Sequence, residues 1–232
     1  MKTPGHDRYE QHFARALHYL QTHYNSDINL HHIAAAAGMS SWHWHRLYHS
    51  VMGETLHDTL KWMRLHRAAW LLCHTDKSIA DIALACGYRG NAQSFTHIFR
   101  NYYKRAADSD MGFVAAYCNL GDMHLKMNDS RNALANYEKA ADINPGYITA
   151  YLKIGSVYAQ QGDYEQAVPL YMRALLISPD SDKANYLLAT AYKHMGKSAE
   201  AAEYFKKAAE RGSDEAVYEL RKMLTERGKN VL

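Results

Sequence analysis

From Val114 onward the chain repeats itself every 34 residues, and this period restricts its fold more than any other feature. Tyr117 and Tyr151 correspond across one period, while Leu120, Ile154 and Leu188 correspond across two, as do Gly121, Gly155 and Ala189. The later half of each period carries Ala133, Ala167 and Ala201, then Tyr137, Tyr171 and Phe205, then Ala140, Ala174 and Ala208. Small residues recur where two helices must touch and aromatics where they interlock. Pro145 and Pro179 recur where the second helix must stop, because proline lacks the amide that would continue it. A unit of this length buries its apolar side only against its neighbours, so the pattern calls for a stack of helix pairs.

These positions resemble the tetratricopeptide (TPR) repeat over Val114–Ser213 and imply three repeats. The third departs from the pattern, with Asn185 at the first aromatic position and Ser213 in place of the proline, as terminal repeats that face solvent commonly do. Asp214 then starts a final helix with Val217, Leu220 and Leu224 on one side, expected to cap the stack. Nothing comparable precedes the first repeat, so the helix through Ile98 and Tyr102, or the connection from Ala106 to Gly112, is expected to shield it. Stacked helix pairs leave a concave groove. The first helices are expected to line it with Cys118, Asp122, Leu152, Ser156, Lys183, Tyr186, Thr190 and Lys193. A protein or peptide partner is the preferred expectation, with self-association, or a stable scaffold without a ligand, as alternatives. The set of Lys, Asn and Arg with which family members grip a C-terminal carboxylate is missing here, which disfavours binding of a chaperone tail.

The first half of the chain states a different pattern twice. Leu30, Ile33, Ala34 and Ala37 form a helical stripe, Gly38 a turn, and Ser40 or Ser41 a cap for a second helix through Trp44, Leu47, Tyr48 and Val51. Ile79, Ile82, Ala83 and Cys86, then Gly87, then Phe95, Ile98, Phe99 and Tyr102 repeat it. Ala34 and Ala83 keep the crossing of the two helices close. Two helix-turn-helix units are therefore expected, over Leu30–Tyr48 and Ile79–Phe99. Between them, Thr55 with Asp58 opens a capping box, and Leu56, Leu60, Met63, Leu71 and Leu72 mark one long helix that ends before Thr75–Ser78. About 19 residues at roughly 1.5 Å each span about 28 Å, close to the ~34 Å between successive major grooves on one face of a duplex. A single chain can thus set two recognition helices into adjacent grooves.

In the order LHHIAAAAGMSSWHWHRLYHSVMG, RLHRAAWLL and SIADIALACGYRGNAQSFTHIFR, these residues resemble the DNA-binding module of the AraC/XylS transcription regulators, over about Tyr9 to Tyr103. The resemblance implies that Trp42, His45, Arg46 and His49 face outward on the first recognition helix, and Gln93, Ser94, His97 and Arg100 on the second. The chemistry agrees. Arg46 can donate two hydrogen bonds to a guanine edge, Gln93 can pair with adenine, and Trp42 offers apolar area to a thymine methyl. Arg100, Arg64 and Arg67 suit phosphate, which positions without reading sequence, although Arg64 and Arg67 read equally well as a solvated helix face. The chain departs from the family in two places. The stretch from Gly87 to Phe99 is one residue longer than usual, and the closing Gly-x-x-Pro-x-x-aromatic-Arg segment is replaced by Tyr103 running on into Lys104, Arg105, Ala106 and Ala107.

Charge follows the same division. Residues 1–105 hold 12 Lys/Arg against 7 Asp/Glu, a balance of +5, and the whole chain is +3, leaving −2 for the repeats. The positive half is the one expected to meet phosphate. No apolar run approaches the ~18 residues of a membrane span, and no secretory signal is expected. Cys73, Cys86 and Cys118 are too scattered for a disulfide frame or a zinc finger, which points to a reducing cytoplasm. His43, His45 and His49 lie within one or two helical turns, yet without a neighbouring carboxylate or thiolate they read as imidazoles facing DNA rather than as metal ligands. Trp44, Trp62 and Trp70 recur at helical spacing and read as core or semi-buried packing, and Trp42 stands between core and DNA contact. No nucleophile–base or paired-carboxylate arrangement is legible, so neither a catalytic residue nor a cofactor is expected.

The expectation is an all-α chain: a bipartite helix-turn-helix DNA-binding domain (1–105), a junction (106–113), a three-repeat TPR α-solenoid (114–213), and a capping helix with tail (214–232). Its expected function is that of a sequence-specific transcription regulator with double-stranded DNA and a groove-bound protein as partners. The alternative is a TPR interaction scaffold, natural or made by fusion, whose DNA-binding half is inactive.

Overall fold

A computed structural model describes residues 4–109 and 113–229, and every regular element among them is helical. The chain divides into two compact units, Met1–Asn101 and Tyr102–Leu232, the division falling inside a helix shortly before the expected domain edge at Arg105. Part of the expected junction, residues 110–112, lies outside the described residues.

The first unit is built from α1 (Pro4–His23), α2 (Leu30–Ala36), α3 (Ser41–Met52), α4 (Leu56–His74), α5 (Ile79–Ala85) and the start of α6 (Ala92–Ala107). Local chemistry sets its helix starts. Ser40 accepts the amide of His43. Thr55 accepts the amide of Asp58 while donating its hydroxyl to that carboxylate at 2.6 Å, and Ser78 and Asp81 do the same ahead of α5. The core around the first helix-turn-helix gathers Leu20 of α1, Ile33 and Ala34 of α2, Trp44 and Tyr48 of α3, and Leu56 and Leu60 of α4. Phe13 stacks over Tyr48, with ring centroids 5.9 Å apart, and lies tilted against Trp44 at 5.2 Å. The Tyr48 hydroxyl meets Thr59, which donates in turn to Glu54, so that α3 is tied to the start of α4. Burial pushes the Tyr48 phenol above its usual range.

One apolar residue departs from expectation, and two tryptophans take the semi-buried form of theirs. Val51 is 58% exposed, because the last turn of α3 runs past the end of this core. Trp44 is fully buried, but Trp62 and Trp70 remain 49% and 46% exposed on α4. Their rings are covered only locally, by His66 and His74 one turn on, and Arg67 lies 4.5 Å over Trp70. Helical periodicity placed all three on helix faces but did not say which of them the core would cover.

The second unit is a stack of helix pairs: α7 (Val114–Lys126) with α8 (Ser130–Ile143), α9 (Ile148–Gln160) with α10 (Tyr164–Ile177), and α11 (Asp182–His194) with α12 (Ser198–Glu210), followed by α13 (Asp214–Lys229). Ala133, Ala167 and Ala201 are fully buried, as are Tyr137, Tyr171 and Phe205 beside them. The third repeat adapts its atypical residues. Asn185 is buried and donates its side-chain amide to the Ser181 carbonyl at 2.9 Å, and Ser213 accepts the Ala216 amide, capping α13. The Lys193 ammonium reaches the Glu219 carboxylate at 2.5 Å, holding α13 against α11.

Candidate nucleic-acid interface

Each recognition helix follows a turn of the same construction. Gly38 and Gly87 both have left-handed backbones, with φ of +69° and +80°, a region that favours glycine because it has no Cβ. The following amide reaches back five residues in both, Met39 to Ala34 and Tyr88 to Ala83, each at 2.9 Å. This double closure is a helix C-cap of the Schellman type. On the first turn, His12 of α1 donates its Nδ1 hydrogen to the Ala37 carbonyl.

The longer spacing of the second unit is absorbed before its helix begins. Ser40 caps α3 two residues after Gly38, whereas Asn91, which accepts the Ser94 amide at 2.7 Å, stands four residues after Gly87. Counted from these caps, Trp42 and Gln93 share a register, as do Arg46 with His97 and His49 with Arg100. Trp44 and Phe95 likewise share the buried position. The counterpart of His45 is Thr96, which is buried and donates to the Ala92 carbonyl at 2.8 Å, and Ser94 instead matches His43. All eight expected contact residues, Trp42, His45, Arg46, His49, Gln93, Ser94, His97 and Arg100, are exposed. Trp42 is 68% exposed with the Arg46 guanidinium 4.7 Å over its ring, and His97 accepts a hydrogen bond from Asn101 at 2.8 Å.

Comparison with known proteins matches two kinds of family to this chain. The Helix-turn-helix domain family matches residues 33–108, and the Tetratricopeptide repeat and TPR repeat families match 146–213 and 121–162. Regulatory protein SoxS of Escherichia coli (strain K12) is 32% identical over 87 residues, 38% of this chain and 80% of SoxS. The chain belongs to the AraC/XylS-type helix-turn-helix family. Transcriptional regulator Rob of Salmonella typhimurium is 33% identical over 88 residues, 38% of this chain but 30% of Rob. The crystal structure of MamA protein is 27% identical, with a TM-score of 0.46, over 61% of this chain and 75% of that one. Neither the AraC/XylS-type family nor the TPR family is enzymatic.

Around the AraC/XylS-type module, two arginines expected at phosphate are otherwise engaged. Arg64 donates from Nε to the Tyr24 carbonyl at 2.7 Å and from Nη2 to the Ser26 carbonyl at 2.9 Å, and Arg67 covers Trp70. Sequence reasoning missed the role of Arg64 because its partners lie 40 and 38 residues earlier. Cys86, at the end of α5, is buried, and burial raises its thiol pKa to about 11 against the weaker pull of the Arg67 and Arg64 charges. It is a core residue, not a reactive one. Among the described residues, no group of three or more His, Cys, Asp or Glu is placed to hold a metal ion, and no helix is long and apolar enough to cross a membrane.

The expected TPR groove set divides in two. Cys118, Asp122 and Leu152 are buried. Leu152 packs with Ala167 and Tyr171, and Asp122 accepts the Tyr137 hydroxyl at 2.7 Å and the Lys153 ammonium at 2.6 Å. Leu152 and Asp122 serve the packing of the repeats, and none of the three, being buried, offers a ligand an open surface, which corrects their placement. Ser156, Tyr186, Thr190 and Lys193 are partly exposed and Lys183 is exposed, although Lys193 is already paired with Glu219.

Proposed function

We propose that this chain is a sequence-specific DNA-binding transcription regulator that docks α3 and α6 into adjacent major grooves while its repeats hold a protein or peptide. The observation that carries the reading is the common register of the two exposed faces, Trp42, Arg46 and His49 on α3 with Gln93, His97 and Arg100 on α6, counted from their caps. Two helices built the same way, each following the same glycine turn, are suited to reading two half-sites with one chain. Arg46 supplies the two-pronged donor that recognises guanine, Gln93 the amide that recognises adenine, and Arg100 a phosphate contact. The balance of +5 over residues 1–105 supports attraction to the duplex. The domain plan that goes with this reading is a DNA-binding domain over 1–105, a junction over 106–113, repeats over 114–213 and a cap with tail over 214–232. In the repeats, Ser156, Lys183, Tyr186 and Thr190 are the groove residues left open to a partner.

Selection of bound duplexes from a random library, with the whole chain at near-physiological salt where phosphate attraction alone is weakened, tests this. The expected result is two enriched blocks about one helical turn apart. One block assigns reading to a single helix. No enrichment overturns the reading in favour of a repeat scaffold with an inactive DNA-binding half.

A further inference from the structure

The short loop between α1 and α2 touches more of the first unit than its sequence suggests. α1 ends at His23 without a glycine to close it, and the carbonyls of Tyr24 and Ser26 are taken up by Arg64 from the middle of α4. A cation at this end of a helix also suits the helix dipole. The opposite side of the loop meets the turn of the second helix-turn-helix. A Cβ on Gly87 would stand 2.8 Å from the Asn25 carbonyl oxygen and 3.0 Å from its carbon, so the two backbones approach where no side chain fits. Arg89 lies 3.7 Å from Asp27 beside this contact, but both are largely exposed and contribute little.

We propose that the loop of residues 24–27 is a latch fixing the two helix-turn-helix units relative to each other. On this basis Arg64 and Gly87 are positioning residues that set the separation this chain requires between the two halves of its DNA site. The proposal rests on the DNA-binding reading above. A change of one base pair in that separation moves the second half-site by about 3.4 Å and turns it by about 35°. The helix α4 packs against both units, through Leu56 and Leu60 in the first core and against α5 at its far end, and the loop adds a second tie, joining α4 directly to the second turn.

The experiment compares the full-length chain with its Arg64→Ala and Arg64→Lys variants, each checked for helical content. Binding is measured to the selected two-block duplex, to the same duplex with one base pair added or removed between blocks, and to duplexes carrying one block. Unsubstituted protein is expected to lose about tenfold on altered spacing. Arg64→Ala is expected to lose no more than about threefold on altered spacing while holding single blocks unchanged, with Arg64→Lys between the two. An unchanged spacing profile in both variants overturns the latch. So does an equal loss on every duplex with a salt slope shallower by about one, which makes Arg64 a phosphate contact. Failure of the DNA-binding reading itself is distinguishable, because the unsubstituted protein then prefers no spacing. Should Arg64→Ala not fold, Arg64→Lys and faster amide exchange at Ser26 and Ile28 carry the decision.

Discussion

Tyr137 lays its ring against Gly121 so closely that a Cβ on the glycine would stand 2.3 Å from Cε1 and 2.7 Å from two more ring atoms. The same contact recurs one repeat on, where a Cβ on Gly155 would stand 2.6 Å from Tyr171. Both rings are fully buried, and Tyr137 is held by its hydrogen bond to Asp122, so neither can swing aside. The small residue and the aromatic thus form one packing element per repeat.

Gly121→Ala is therefore expected to destabilise the repeat unit. Alanine favours a helix over glycine by up to ~1 kcal/mol, but overpacking a filled core costs about 1–3 kcal/mol. The clash wins, and more so at Gly121 than at Gly155, where the approach is less tight. Urea unfolding midpoints for the two variants check both the sign and the order.

Tyr137→Phe is expected to cost about 1.5–3 kcal/mol, the range for a buried hydrogen bond to a charged group. Tyr171→Phe is expected to cost about 0.5–1.5 kcal/mol. No carboxylate takes part there: the polar side chain acting on the Tyr171 hydroxyl is the neutral Ser156, which itself donates to the Leu152 carbonyl at 2.8 Å. Equal losses in paired unfolding measurements would show that the Asp122 carboxylate adds nothing, its charge being already met by Lys153.

Arg46→Ala is expected to weaken binding by ~1–3 kcal/mol and to relax preference at one base pair of the selected site. Repeating the duplex selection with the variant reads this directly. Loss shared equally by all sequences would make Arg46 a phosphate contact instead.

Acid should loosen both units through capped carboxylates. The Thr55 hydroxyl lowers the pKa of Asp58, and the Asn132 side chain and amide lower that of Asp129, both from an ordinary value of 3.8. A depressed folded value means stability that is fully present above the unfolded value and lost as pH falls through the folded one. Stability is expected to hold from neutral pH to about 5 and to fall below about 4. Asp129→Asn keeps a capping oxygen but not its titration, so the acid limb of the repeat unit should flatten in unfolding curves taken between pH 6 and 3. An acid limb identical to that of the unsubstituted chain would assign the loss to other carboxylates.

Much of this molecule was legible residue by residue. The stripe through Ile33 and Ala34, the left-handed turns at Gly38 and Gly87, the capping box at Thr55 and the 34-residue period all act over one or two helical turns. Local interactions of this kind leave a pattern in the sequence. Periodicity also put Trp44, Trp62 and Trp70 on helix faces, yet only Trp44 is covered. Whether a face is covered depends on what packs against it, and a one-helix pattern does not contain that information.

The amino-acid sequence alone determined the helices of the two turn motifs, the long helix between them and the repeat register, because each follows from neighbours a few positions apart. Only the tertiary structure decided that Arg64 closes the end of α1 rather than facing phosphate, and that Asp122 joins Tyr137 and Lys153 rather than lining a groove. It also decided that Gly87 must lack a side chain to admit Asn25. These are choices among partners 15 to 62 positions apart, and a charged or polar side chain shows no preference among them until the packed helices bring one within hydrogen-bonding reach.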